Sequence, residues 1–254
     1  MTRRFRWWLV LAALFPTLVP ATSRAADDPH LVFRRGFEAY ENGQYEDAAS
    51  AFESVLAAGV NDAATFYNLG NAYFKSGRLG PAIWNYRKAH ALAPRDEDIS
   101  ANLEYARFLA IDSIEGEAQT DQRVETWLDR FTPVEAIRLP VALWLVAALL
   151  AVLWKLRVGP SVLWRRLAVT FLVLWAASAA VVIAIERRAE STHEAVVFSR
   201  EIAVRNGPGE NFEVAFVLHE GAEVVVEGTR GQWTEISLPG DLRGWIDSGA
   251  IQRL

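Results

Sequence analysis

The sequence predicts a multidomain chain of three parts: an all-α repeat unit, an α-hairpin that crosses a membrane, and a small C-terminal all-β barrel. Three observations carry this. Two long uncharged runs occupy the middle of the 254 residues, the stretch before them matches itself when shifted by 34 positions, and the stretch after them breaks into short β-branched runs separated by glycine. The first pattern calls for lipid, the second for stacked helices, the third for a barrel.

At the N-terminus, Arg3, Arg4 and Arg6 precede an apolar stretch from Trp7 to Val19, which ends in Pro20 and small residues. This is the layout of a secretory signal peptide, residues 1–25, with Ser23 and Ala25 meeting the small-residue requirement for cleavage after Ala25. An uncleaved anchor is the other reading, and either one exports the segment that follows. The chain has no cysteine, so disulfides, thiol nucleophiles and Cys-based metal sites are excluded. The formal charge is −5; losing the four arginines of residues 1–25 takes the mature chain to −9, and setting aside the four cations between the apolar runs leaves about −13. So acidic a surface repels nucleic acid and anionic headgroups.

Residues 26–111 form the repeat unit. A shift of 34 aligns Gly36 with Gly70, Gly43 with Gly77, Ala48 with Ala82, Phe52 with Tyr86 and Val60 with Pro94. Small residues such as Gly70 and Ala82 let paired helices approach, and large ones such as Tyr73 and Tyr86 fill the gaps. Gly43 and Gly77 supply the left-handed backbone that ends the first helix of each pair. A further amphipathic helix, roughly Asp96 to Ala110, carries Ile99, Leu103, Ala106 and Ala110 on one face and serves as a cap. The second copy, with Phe66, Leu69, Gly70, Tyr73, Ala82, Tyr86, Ala89 and Pro94, resembles the tetratricopeptide (TPR) family. The first copy resembles it less, with Arg35 where leucine is usual.

That resemblance implies an all-α TPR solenoid of two repeats and a cap, with a groove for a peptide. The groove residues it implies are Phe33, Phe37, Asn68 and Asn71. Asparagine at the last two can bond a ligand backbone or stand as solvated surface; Phe33 and Phe37 suit an apolar groove or the core. They occupy the positions of a lysine and an asparagine in TPR domains that clamp a C-terminal carboxylate, so that clamp is absent.

Residues 112–133 are an acidic linker with a short pre-membrane helix, in which Val124, Trp127, Leu128 and Phe131 recur at helical spacing. Trp127 fits the aromatic belt at a membrane interface. The first span is placed at 134–157, around the uncharged run Leu139 to Trp154, with Pro140 in its first turn. The second is at 167–187, where Leu167 to Ile185 gives 19 uncharged residues, roughly 28 Å of helix. The loop 158–166 and its flanks carry Lys155, Arg157, Arg165 and Arg166 with no acid, which by the positive-inside rule makes the loop cytoplasmic and both soluble parts extracytoplasmic.

Residues 190–254 read as strands at Val196–Phe198, Ile202–Val204, Val214–Val217, Val224–Val226, Trp233–Ile236 and Gly244–Ile246. The run Val204-Arg205-Asn206-Gly207-Pro208-Gly209, with Gly231-Gln232-Trp233 and Gly244-Trp245-Ile246, resembles bacterial SH3-like domains. The resemblance implies a barrel with Trp233 and Trp245 in or beside its core and a cleft formed by Asn206, Phe212 and Trp233, binding peptide or cell-wall material, or only building the barrel. His219 falls at a hairpin turn, where it would bond the backbone.

Catalysis needs a nucleophile, an acid/base pair or a metal constellation, and the sequence shows none; no cofactor is implied. The order of parts resembles the BatE-type proteins of bacterial aerotolerance (Bat) operons. This implies a non-enzymatic inner-membrane adaptor whose partners are von Willebrand factor A-domain membrane proteins. A cell-wall sensor or anchor that binds peptidoglycan through the barrel is the alternative.

Overall fold

The computed structural model describes residues 28–112, 133–156, 161–191, 194–240 and 242–254. The signal peptide expected at 1–25, nearly all of the linker expected at 112–133 with Trp127, and part of the loop between the two apolar runs lie outside the described residues. Five helices come first: α1 (Pro29–Glu41), α2 (Tyr45–Ala57), α3 (Ala63–Lys75), α4 (Leu79–Leu92) and α5 (Glu97–Leu109). Asp62 starts α3 by accepting the Thr65 N–H at 2.7 Å, and Asp96 starts α5 by accepting from Asp98 and Ile99; each satisfies an amide that the first turn leaves unpaired. Consecutive helices pack antiparallel, α1 on α2, α2 on α3, α3 on α4 and α4 on α5.

The 34-residue period has a physical counterpart in the packing. A Cβ on Gly36 would sit 2.9 Å from the Phe52 ring, and a Cβ on Gly70 would sit 2.7 Å from the Tyr86 ring. Equivalent glycines thus admit equivalent rings, and both rings are buried. Gly43 and Gly77 end α1 and α3 with φ of 76° and 77°, the left-handed geometry that favours glycine. On α5, Ile99, Leu103 and Ala106 are buried against the preceding helices.

Two apolar helices follow: α6 (Pro133–Lys155) and α7 (Ser161–Ser191), packed against each other. Ile137–Lys155 and Val162–Ile183 are long and apolar enough to cross a membrane, with mean hydropathies of 2.2 and 2.1. The first helix starts earlier than the uncharged run suggests. Pro133 is its first residue, where a missing N–H costs nothing, and Pro140 falls inside the helix.

The C-terminal part is a seven-stranded antiparallel sheet: β1 (Glu194–Val197), β2 (Glu201–Arg205), β3 (Val214–His219), β4 (Glu223–Arg230), β5 (Trp233–Leu238), β6 (Leu242–Asp247) and β7 (Ile251–Arg253), in the order β3-β2-β6-β5-β4-β1-β7. Six strand positions follow the sequence pattern; β7, only three residues, has too short a run to signal itself. Val204, Leu218, Val226, Ile236, Leu238 and Ile246 fill its interior. Trp233 and Trp245 are not part of that interior. Each alternates with buried neighbours, Thr234 for one and Gly244 and Ile246 for the other, so both rings lie half-buried on the outer face.

Helices and sheet are docked on one another, an arrangement the sequence does not announce. The strand that joins them is β1, whose last three residues, Ala195, Val196 and Val197, are all fully buried. Because successive side chains point to opposite faces, Ala195 and Val197 enter the barrel interior while Val196 enters the helical core beside Ile83, Tyr86 and Ala110. The turn after β3 wedges in next to it. Gly221, with φ of 92°, leaves Ile83 Cδ1 and Ala110 Cβ only 3.1 and 3.4 Å from where its own Cβ would be. Gly80 on α4 faces the Val197 carbonyl so closely that a Cβ there would lie 2.3 Å from the oxygen.

Candidate functional site

The first helix of each pair, α1 and α3, together with α5, forms one wall of a concave face that holds a cavity of about 300 Å³. Tyr40 enters it from α1, Tyr67, Asn71, Phe74 and Lys75 from α3, and Asn102 and Tyr105 from α5, with Tyr86 of α4 behind them. A linked set of hydrogen bonds runs through this group. The Tyr86 hydroxyl donates to Asn71 Oδ1 at 2.7 Å, and Asn102 Nδ2 donates to Asn71 Oδ1 at 3.0 Å and to the Tyr67 hydroxyl at 2.9 Å.

These bonds use the amide oxygen of Asn71 and the amide nitrogen of Asn102. The Asn71 Nδ2 and the Asn102 Oδ1 are outside the network, one a donor and one an acceptor. Turning both amides together exchanges the roles and leaves the same pair. A peptide group, with one N–H and one C=O, can bond to an amide acceptor and an amide donor of this kind. Around this polar centre lie five aromatic rings and one cation, Lys75. Two of the hydroxyls are held neutral: burial pushes Tyr86 well above the ordinary phenol range, with Tyr67 and Tyr40 adding to it, and burial likewise raises Tyr40.

Of the four groove residues expected from the sequence, Phe33, Phe37, Asn68 and Asn71, the structure brings Asn71 alone to this cavity. Asn68 donates to the Ala64 carbonyl of its own helix at 2.8 Å. Phe33 meets Phe52 edge-on, ring centroids 5.3 Å apart, and packs on the helical core. Phe37 is 48% exposed and does not line the cavity. Sequence reading missed Tyr40, Tyr67, Phe74 and Tyr105, which helical periodicity alone does not separate from core aromatics, and Asn102, which stands on the helix assigned as a cap.

In the barrel, the Asn206–Phe212 segment closes on itself. The Phe212 ring lies over Gly207, where a Cβ would be 2.5 Å from it, while Asn206 N–H donates to the Glu213 carbonyl and Arg205 donates to the Phe212 carbonyl at 2.8 Å. Phe212 is still 46% exposed. The tryptophan paired across the sheet with Arg205 is Trp245, and Arg230 sits 5.7 Å from the Trp245 ring centroid, within cation–π range. Trp233 is one row away, opposite Asp247 and Arg230. The cleft proposed from Asn206, Phe212 and Trp233 therefore has Trp245 as the tryptophan nearer the loop.

Residues 201–252 match the bacterial SH3 domain family. No curated protein is similar enough to the chain to match it. The matched segment begins at β2, so β1, the strand that docks the SH3-like barrel on the helices, precedes it.

The docked surface carries a linked set of ion pairs. Glu223, at the start of β4, accepts from Arg87 of α4 at 2.6 Å and from Arg107 of α5 at 2.6 and 2.9 Å. Arg87 also pairs with Glu194. Burial alone would raise the Glu223 carboxyl, but hydrogen bonding and charge from Arg107 and Arg87 outweigh it and hold it below the ordinary carboxylate range. Trp84 Nε1 donates to the Arg253 carbonyl at 2.8 Å, which caps the outer edge of β7. His219 does not make the local backbone bond anticipated at its turn; its Nδ1 and its N–H both face the Asp112 carboxylate. The signal was unreadable in sequence because the two residues are 107 positions apart. Among the described residues, no group of three His, Asp or Glu could hold a metal ion.

Proposed function

We propose that this protein is a non-enzymatic, membrane-tethered adaptor that grips an extended segment of a partner protein in the α1–α3–α5 groove. The observation that carries the reading is the locked Asn71–Asn102 pair, which offers a peptide group a donor and an acceptor between aromatic walls. The repeated Gly36/Phe52 and Gly70/Tyr86 packing supports reading the helices as TPR repeats. The α6–α7 pair would anchor the chain in the inner membrane. The cations between the two helices favour a cytoplasmic loop and an extracytoplasmic position for both soluble parts, and their mutual docking supports placing them in one compartment.

With the order of parts, these features support a BatE-like role beside von Willebrand factor A-domain membrane proteins in envelope stress or oxygen tolerance. Crosslinking from native membranes tests this. The wild-type chain is expected to capture such partners and Asn71→Ala with Asn102→Ala to lose them; equal capture by both, or none by either, refutes it.

A second reading rests on the SH3-like barrel, whose outer face presents Trp245 with Arg205 and Arg230. Aromatic stacking with flanking cations suits the acidic stem peptide or sugar faces of peptidoglycan. Purified full-length protein in detergent, spun with sacculi, separates the readings: an adaptor stays in the supernatant, and a cell-wall anchor pellets unless Trp245 is replaced.

A further inference from the structure

The third wall of the groove, α5, has no second helix of its own among the described residues, and the SH3-like barrel stands in that place. One barrel carboxylate, Glu223, bridges Arg87 on α4 and Arg107 on α5. The same two helices carry groove residues close to those arginines: Tyr86 precedes Arg87, while Asn102 and Tyr105 lie five and two residues before Arg107. The Gly221 turn fits against Ile83 on α4 and Ala110 at the end of α5, so the barrel contacts both helices.

We propose that the barrel regulates the groove: by stapling α4 to α5 through Glu223 and the Gly221 turn, the docked barrel sets the position of the wall that carries Asn102 and Tyr105, and its displacement opens the groove. This rests on the groove being the ligand site. By linkage, a segment held between α1 and α5 steadies the docked barrel in return.

The test uses full-length protein in nanodiscs. The chain has no cysteine, so introduced thiols are the sole labelling sites. Spin labels at Phe37→Cys on α1 and Ala101→Cys on α5 report groove width, and labels at Phe108→Cys and Leu242→Cys report barrel docking. Both distances are measured in the otherwise native chain, in Glu223→Gln, and in Gly80→Val, which drives a side chain into the Val197 carbonyl. The expected result is one narrow groove distance in the native background and a longer, broader distribution in both variants, in step with the docking distance. A docking distance that shifts while the groove distance holds overturns the proposal. So does a docking distance that neither variant changes, because Glu223 then does not hold the barrel; if Gly80→Val does not fold, Glu223→Gln decides alone. Coupled distances in a protein that captures no partner through Asn71 would sink the functional reading and leave the coupling standing.

Discussion

Val196 is a barrel residue by chain position and a helical-core residue by contact, so replacing it should weaken the helices. Val196→Ala removes two methyl carbons from a site with no exposure, about 1.6 kcal/mol at ~0.8 kcal/mol per carbon. Its neighbours Ile83, Tyr86 and Ala110 belong to helices fixed elsewhere, so the void does not close, and the total rises to about 2–3 kcal/mol. Hydrogen exchange on the full chain in nanodiscs reads this locally. Amides of α2 and α4 that open with the helical core are expected to exchange about 30-fold faster or more, since each 1.4 kcal/mol is tenfold. If exchange in α2 and α4 is unchanged while only the barrel strands speed up, β1 does not contribute to the helical core and the docking described above is wrong.

Gly70→Ala puts a Cβ 2.7 Å from a Tyr86 ring that is 1% exposed and tied to Asn71; the ring has nowhere to retreat, and a loss of about 1–3 kcal/mol is expected in urea unfolding. Acid should undock the barrel. The folded Glu223 carboxyl titrates below its ordinary value, so its contribution is complete above that value and disappears as pH falls through the lowered one, seen as a docking distance that lengthens as pH drops below the ordinary carboxylate range. Alkali should attack the helical unit. Tyr73 is pushed up to about 12 by burial and its bond to Glu53, and Tyr86 and Tyr40 are also raised; stability is full below pH 10 and falls as pH climbs toward 12, measurable as a falling melting temperature that the barrel strands do not share.

How much was legible in the sequence depended on the range of the signal. The glycine-to-aromatic pairing of Gly36 with Phe52 and Gly70 with Tyr86 was readable because each half lies within one repeat, and the alternating strands because period two is local. Pro140 misled because an uncharged run marks the most apolar stretch of the helix and not its start, which Pro133 sets. Phe33 was ambiguous for the reason any apolar residue on α1 is: the face toward α2 and the face toward the groove are little more than one residue apart around the helix. The docking surface was invisible. Its polar residues, Arg87, Arg107, Asp112, Glu194, His219 and Glu223, look individually like solvated surface, and what joins them is a fold in which an apolar hairpin separates the two halves of each pair.

The central claim is that the chain crosses a membrane twice in close succession and displays helices and barrel together on one side. Thiol labelling in intact cells tests it most directly, with an impermeant maleimide and single cysteines at three exposed positions: Phe108 on α5, Leu242 on β6 and Leu156 between the apolar helices. The account predicts that Phe108→Cys and Leu242→Cys react in intact cells and that Leu156→Cys reacts only after the membrane is opened. Reaction of Leu156→Cys from outside, or protection of either of the other two until the membrane is opened, would contradict it.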